Sequence, residues 1–339
     1  MYEIVLQNLL SPFVLFFLLG IMAAIFKSDL KFPNGLSEAL SIYLLMAIGI
    51  KGGIELSHYA LGTVMKPILG TLFLGVFIPV LSLIVLRFMK MDLKNAIGLA
   101  ATYGSVSIVT YGATISFLGK NGVDYEGFMN VLIVLLESPA IFVSLFLLRL
   151  LQKAPDNRRI ATHRLGFAAG IYSAMNGLFD KEVIKESLLG KSVLLLLGSL
   201  LIGWFVGQDA VSTVKPLFID LYGSILILFL LNMGLIVGQR LPEVKKHGWK
   251  ILLFGICMPI VGGTLGVFVG KMVGLSLGGA TLMGVLAGSS SYIAAPAALK
   301  SSVPEANPSI YLGLSLGVTF PFNLIIGIPL YFAIAQLLQ

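Results

Sequence analysis

Ten stretches of this chain are long enough to cross a lipid bilayer and almost free of charge, which restricts the fold more than any other feature of the sequence. A membrane-crossing helix needs roughly 20 mostly apolar residues, because the hydrocarbon core is about 30 Å thick and a helix rises about 1.5 Å per residue. The runs lie at 5–26, 37–57, 68–89, 95–118, 127–151, 189–207, 217–238, 249–273, 278–299 and 309–337 of 339 residues. Within hydrocarbon every backbone N–H and C=O must be paired inside the protein, so runs of this length are expected to be helical. The expected fold is an all-α polytopic membrane protein with ten transmembrane helices. Composition agrees, with 57% apolar and 12% charged residues, about half the charged share of a soluble protein. Soluble domains, disordered chains, nucleic-acid binders and disulfide-stapled secreted scaffolds are excluded on the same grounds. The single Cys257 lies in an apolar run and has no partner for an internal disulfide. Glu3 is the only early charge of the first run, which lacks the basic stretch of a cleavable signal and is therefore read as a span.

The basic residues give a direction. With ten alternating crossings, 18 of the 23 Lys and Arg fall on one side, together with the polar stretch from Gln152 to about Leu188, and 5 fall on the other with both termini. The positive-inside rule places the central loop in the cytoplasm and both termini outside, in a multi-pass protein of the cell inner (plasma) membrane.

The second half of the chain matches the first weakly but in order. Gly49 and Gly53 fall on Gly234 and Gly238 at an offset of 185. Gly104, Ser105 and Ser107 fall on Gly288, Ser289 and Ser291 at 184, and Pro139 falls on Pro321 at 182. Five spans per copy is odd, so the two copies cross in opposite senses, an arrangement common among secondary transporters. The expected organisation is a first inverted repeat at 1–151, a cytoplasmic loop at 152–188 and a second inverted repeat at 189–339.

Spans 4 and 9 carry the chemistry. Span 4 contains Tyr103-Gly-Ser-Val-Ser107 and span 9 contains Gly288-Ser-Ser-Ser-Tyr292 followed by Pro296, which cannot donate a helical hydrogen bond. Helices broken at mid-membrane free backbone groups that are tolerable only where they line a cavity or bind something. The start of a half-helix suits an anion, and opposing carbonyls and hydroxyls suit a small hard cation. Gly104, Ser105, Ser107, Ser289, Ser290 and Ser291 are the candidate substrate-binding residues. Thr110, Glu137, Ser291 and Tyr292 are the candidate sodium ligands. Gly112, Ala113, Ala294 and Ala295 are read as close-packing residues. Glu137, the one acid well inside an apolar run, could hold a cation, carry a proton or pair with Lys51 of span 2. Asn323 lies close to the repeat-equivalent position in span 10. His58, His163 and His247 show no ligand spacing, so no metal beyond sodium is expected. No cofactor is expected, and with no Walker motif, His/Glu metal pair or paired catalytic carboxylates no enzymatic activity is expected either.

The chain resembles the sodium-dependent bicarbonate transporter family of cyanobacteria and its wider bacterial relatives. The resemblance runs nearly end to end, through Ser11-Pro12, Ile48-Gly-Ile-Lys-Gly-Gly53, Tyr103-Gly-Ser-Val-Ser107, Glu137-Ser-Pro-Ala140, Ser289-Ser-Ser291 and Pro304-Glu-Ala-Asn-Pro-Ser309, the last followed by Tyr311 and Gly313. It implies two inverted five-span repeats and two crossed discontinuous helices. A core of spans 3–5 and 8–10 would move against a gate or scaffold of spans 1, 2, 6 and 7 in an elevator-like cycle. It further implies a homotrimer and a PII-like regulatory protein on the cytoplasmic side. The chain departs from the family pattern at Tyr292, where the serine triplet is followed by an acid, and at Ile108 and Val109, where the family continues with Gly and Ser. The central loop is also shorter and less acidic than the family's.

The expected function is sodium-dependent import of bicarbonate or a similar small anion by a secondary active transporter. The alternatives are a proton- or sodium-coupled transporter of another small carboxylate, or a non-transporting membrane sensor or scaffold that keeps the fold. The charge asymmetry generates a direct test. A cysteine placed beside Arg158 or Arg164 should react with a membrane-impermeant maleimide only after cells are permeabilised, and one near the N-terminus should react in intact cells.

Overall fold

The computed structural model describes residues 2–33, 35–59, 61–152, 191–207, 211–244 and 248–339. Beyond Gln152 the expected cytoplasmic loop, with Arg158, Arg159, His163 and Arg164, lies outside these residues, as does His247. All regular structure among the described residues is helical. Seven helices are long and apolar enough to cross a membrane, and three shorter apolar helices, Pro12–Ile25, Val193–Val206 and Leu277–Gly288, fall in the remaining apolar runs.

The chain begins with α1 (Tyr2–Leu9) and α2 (Pro12–Ile25), followed by α3 (Leu36–Leu56), α4 (Leu61–Phe88), α5 (Leu93–Gly104), α6 (Ile108–Lys120) and α7 (Met129–Gln152). From Lys191 onward come α8 (Lys191–Val206), α9 (Tyr222–Val244), α10 (Trp249–Met272), α11 (Leu277–Gly288) and α12 (Ala294–Ser302). The last element, α13 (Pro308–Leu337), is one long span.

Three departures from the sequence reading have local causes. The first run is not one helix. Ser11 caps α2 by accepting from the Val14 N–H, and Pro12 occupies the first helical position, where its missing N–H costs nothing. Several helices extend past their apolar runs, as α4 does by starting at Leu61 ahead of Lys66 and Pro67, because hydrocarbon limits the run and not the helix. Finally, α9 is preceded by a π turn at Lys215–Asp220, and α13 contains π turns at Ser315–Thr319 and Asn323–Gly327 on either side of Pro321. A widened turn frees carbonyls, and the Asn8 amide donates to one of them, Leu324 O, at 2.8 Å.

Packing divides the molecule in two. On one side α2 lies against α9 and α3 against α8. On the other, α4, α5 and α7 form one cluster and α10, α11 and α13 another. The α2–α9 contact runs through Gly20 and Gly234, where an added Cβ would overlap the carbonyls of Leu231 and Phe17. The α3–α8 contact runs through Gly53 and Gly203 in the same way, against Leu200 and Ile50. In a membrane, where hydrophobicity cannot drive helices together, such backbone-to-backbone approach supplies the packing energy.

Shielding from the outer surface is uneven. In α4 and α10 only 44% of the most apolar window is buried, and Phe73, Phe77, Val261 and Phe268 point outward. In the span formed by α5 and α6 the whole window is buried, so the broken span is wrapped by protein, as irregular backbone at membrane depth requires.

Two glycines of α8 provide a test. Gly203 meets the Ile50 carbonyl, whereas nothing lies within 4 Å of a Cβ at Gly198. Gly203→Val should cost about 1–3 kcal/mol by overpacking and lower the unfolding temperature of the purified protein in detergent. Gly198→Val should leave that temperature unchanged.

Candidate functional site

Two spans stop and restart in the interior. Helix α5 begins on Asp92, whose carboxylate caps the Asn95 N–H, and ends at Gly104. Helix α11 begins on Ser276, whose hydroxyl caps the Gly279 N–H, and ends at Gly288. The residues after both ends, Ser105 and Ser289, turn into extended backbone with nearly identical angles, φ −91 and ψ 178 against φ −90 and ψ 175. Each chain then re-enters a helix, α6 at Ile108 and α12 at Ala294.

The two gaps bind each other. Ser291 N–H donates to the Thr102 carbonyl at 2.8 Å, and Ser107 N–H donates to Ser289 Oγ at 2.9 Å. The Ser289 hydroxyl itself donates to the Leu286 carbonyl at 3.0 Å. Ser107 Oγ caps α6 by accepting from Thr110 N–H and from the Thr110 hydroxyl, at 3.2 and 2.8 Å. Ser291 Oγ accepts from Ala295 N–H in the first turn of α12 at 3.2 Å. All three hydroxyls are thus engaged in holding the crossing.

The other two serines are not. Ser105 and Ser290 are buried, and neither hydroxyl has a hydrogen-bond partner. A hydroxyl buried without a partner is costly, so two of them in adjoining gaps mark a place where a ligand could complete the bonding. Gly104 has a packing role beside them, with its would-be Cβ 2.8 Å from the Pro79 ring and 2.9 Å from Ala140 Cβ.

Ala140 lies one turn beyond Glu137 on α7, so Glu137 shares the helix face that meets the first gap at Gly104. Glu137 is buried and its Oε2 has no hydrogen-bond partner. The pairing with Lys51 that the sequence left open does not form. The Lys51 ammonium donates instead to Tyr125 Oη at 3.2 Å. Tyr292 packs edge-on against Phe320, with ring centroids 5.6 Å apart, and its hydroxyl is directed toward Ser107 without a hydrogen bond of ordinary geometry.

At the end of α11 the gap is tied off by a network that the sequence reading missed. Asn323 Nδ2 donates to the Gly288 carbonyl at 2.8 Å, and Tyr331 Oη lies 2.9 Å from both Asn323 Oδ1 and the Pro259 carbonyl. The sequence signal was the buried polar series Ser315, Thr319 and Asn323 at four-residue spacing, in an otherwise apolar span.

Loops brace both half-helix starts crosswise. Lys94 at the start of α5 pairs with Glu305 at 2.7 Å, and Asn307 N–H donates to Asn95 Oδ1 at 2.7 Å. The Lys94 hydrogen bond holds the Glu305 carboxyl below its usual range. At the start of α11, Ser276 N–H and Oγ donate to Glu126 at 2.6 and 3.0 Å. The Pro304–Ser309 motif is therefore a brace, in which Asn307 also caps the Ser309 N–H.

A cavity of about 610 Å³ reaches the crossing along Tyr292, Ile293 and Ala294. Its other walls include Leu45 of α3, Ile141 of α7, Phe229 and Met233 of α9, and the Glu38–Lys191 ion pair. It therefore lies on the seam between the paired helices and the helical clusters. No group of three or more His, Cys, Asp or Glu able to hold a metal occurs among the described residues.

With this geometry the family assignment is direct: the family described as the Na+-dependent bicarbonate transporter superfamily matches residues 12–336. The chain belongs to that superfamily. A search of curated proteins gives no match. Membership in the superfamily makes the chain a membrane-embedded protein of a transporter family, and the matched region takes in both broken spans and all the candidate residues.

The partition of the serines is measurable by thermal unfolding in detergent. Ser107→Ala removes a helix cap and should cost about 0.5–2 kcal/mol. Ser289→Ala strands the Ser107 N–H and should cost about 1–3 kcal/mol. Ser105→Ala and Ser290→Ala break no hydrogen bond and should cost nothing.

Proposed function

We propose that the protein is a secondary active transporter that imports bicarbonate, or an anion of similar size and charge, together with sodium. The observation that carries this reading is the pair of buried hydroxyls without partners, Ser105 and Ser290, beside the crossing of two half-helix pairs. The half-helix starts at Ile108 and Ala294 bring partial positive charge to the same region, so a small anion gains donors without a fixed cation that would hold it too tightly. The unpartnered Glu137 oxygen close by supplies negative charge for a sodium ion, in place of the family's acid at position 292.

The proposed architecture is ten crossings in two inverted repeats, with both termini outside the inner membrane. The glycine-joined pairs α2–α9 and α3–α8 serve as gate or scaffold, and the remaining helices form a core that carries the anion across by an elevator-like displacement. A homotrimer and a PII-like regulator belong to the same reading on the strength of the family resemblance. A second reading, proton coupling, draws on the fact that Glu137 makes no ion pair with a described Lys or Arg.

Uptake of radiolabelled bicarbonate into proteoliposomes separates these readings. Sodium coupling predicts uptake that falls to background when potassium replaces sodium, whereas proton coupling predicts uptake driven by an imposed pH gradient in either cation. Losing a hydrogen bond to a charged ligand costs roughly 1.5–3 kcal/mol, so Ser105→Ala and Ser290→Ala should each raise the half-saturating concentration about ten- to a hundredfold. Glu137→Gln should abolish sodium dependence while leaving a monodisperse protein. Sodium-dependent uptake unchanged in all three variants would place the site elsewhere.

A further inference from the structure

A second, much smaller cavity of about 40 Å³ lies farther along α3, lined by Ala47, Ile48, Lys51, Asn130, Ile219 and Tyr222 among others. The offset of 185 seen in the sequence relates it to the large cavity. It carries Ile48 and Lys51 onto Met233 and Ile236, and takes Tyr222 back onto Ser37, and all three of these equivalents line the 610 Å³ cavity. The two cavities thus occupy matching places in the two halves of the chain, one open and one nearly closed. At the nearly closed place the hydroxyl end of Tyr222 sits on Gly112 of α6, where a Cβ would have no room.

Of the three mapped positions one differs in charge, and the lysine that lines the large cavity, Lys191, is paired with Glu38. The large cavity has Ile236 where the small one has Lys51. The Lys51 ammonium has Tyr125 as its neighbour, through a 3.2 Å hydrogen bond and a ring centroid 5.8 Å away. It forms no ion pair with a described acidic residue. The Tyr222 hydroxyl is buried in the same place with no hydrogen-bond partner. Asn130 is already engaged, accepting from Tyr111 at 3.0 Å.

We propose that the cavity around Lys51 is the closed counterpart of the large cavity, facing the side that bears the termini, and that Lys51 and the Tyr222 hydroxyl capture a small monovalent anion there when it opens. The proposal rests on the reading of the protein as an anion transporter. It adds a capture site separate from the crossing and a chemical difference between the two sides. Separation of Tyr222 from Gly112 opens the space and frees the phenol to donate. The ammonium concentrates anions at this mouth, and the apolar surface around Ile236 lets them leave at the other.

The test uses the full-length protein in intact cells, with Cys257→Ala removing the native thiol and Ile219→Cys reporting from the cavity wall. Two membrane-impermeant methanethiosulfonates are compared, one carrying a sulfonate and one a trimethylammonium group, each rate normalised to that with a free thiol. A fixed cation within a few ångströms should favour the sulfonate reagent by about tenfold. Lys51→Gln and Lys51→Met should abolish the preference, and Lys51→Arg should keep it. Equal normalised rates with Lys51 present, a preference that survives Lys51→Gln, or no reaction with either reagent would each overturn the proposal. The readout does not depend on transport, so failure of sodium-driven bicarbonate uptake and failure of the capture site are separate results.

Discussion

Two hydrogen bonds between broken helices, Ser291 N–H to the Thr102 carbonyl and Ser107 N–H to Ser289 Oγ, are the interaction on which the rest of the structure depends. A helix interrupted alone at membrane depth would leave several polar backbone groups unpaired, each costing several kcal/mol in hydrocarbon. Two helices interrupted at the same place can partly satisfy each other. The surroundings follow from that. The crossing is buried except where the large cavity reaches Tyr292, Ile293 and Ala294, Gly104 and Gly288 admit Pro79 and the Tyr331 hydroxyl at close range, and Asn323 donates to the carbonyl of Gly288. Only after these groups are satisfied do the hydroxyls of Ser105 and Ser290 stand out as spare.

Much of this was legible in the sequence. The apolar runs, the two breaks and the buried acid could be read because each is a local departure from a strong pattern: Gly, Ser and Thr in a long apolar stretch, or one carboxylate among leucines. What could not be read was which serine does what. Ser107 and Ser289 are held by a bond between residues 182 apart in the chain, so no local spacing separates a capping hydroxyl from a free one. The fate of Lys51 was hidden for the same reason, since Tyr125 lies 74 residues away in the chain. The Ser11 break was visible as a Ser-Pro pair, yet it was masked by the apolar residues on both sides.

The two halves of the molecule are joined internally by different means. Across α2–α9 and α3–α8, glycines bring backbones into contact, and such surfaces interlock with nothing to yield. Across the seam to the core the contact is made by side chains, and it contains both cavities. Side-chain contacts such as Tyr222 on Gly112 can part without unpairing any backbone group. In the proposed elevator-like cycle the seam is where one half would slide, because side-chain contacts part there while the glycine contacts stay intact.

The crosswise braces carry a consequence for how the protein is made. Asn95 near the start of α5 is held by Asn307, and Ser107 just before α6 is held by Ser289, so the first broken span, though packed against α4 and α7, lacks these hydrogen bonds until the second half exists. At about 5–20 residues per second, the 182 residues between Ser107 and Ser289 take roughly 10–40 s to synthesise. During that interval a span with free polar backbone must reside beside the ribosome-bound insertion machinery or at the bilayer surface. A first half made alone leaves polar backbone groups of a broken span unpaired, and burying them in hydrocarbon stays costly until the second half arrives.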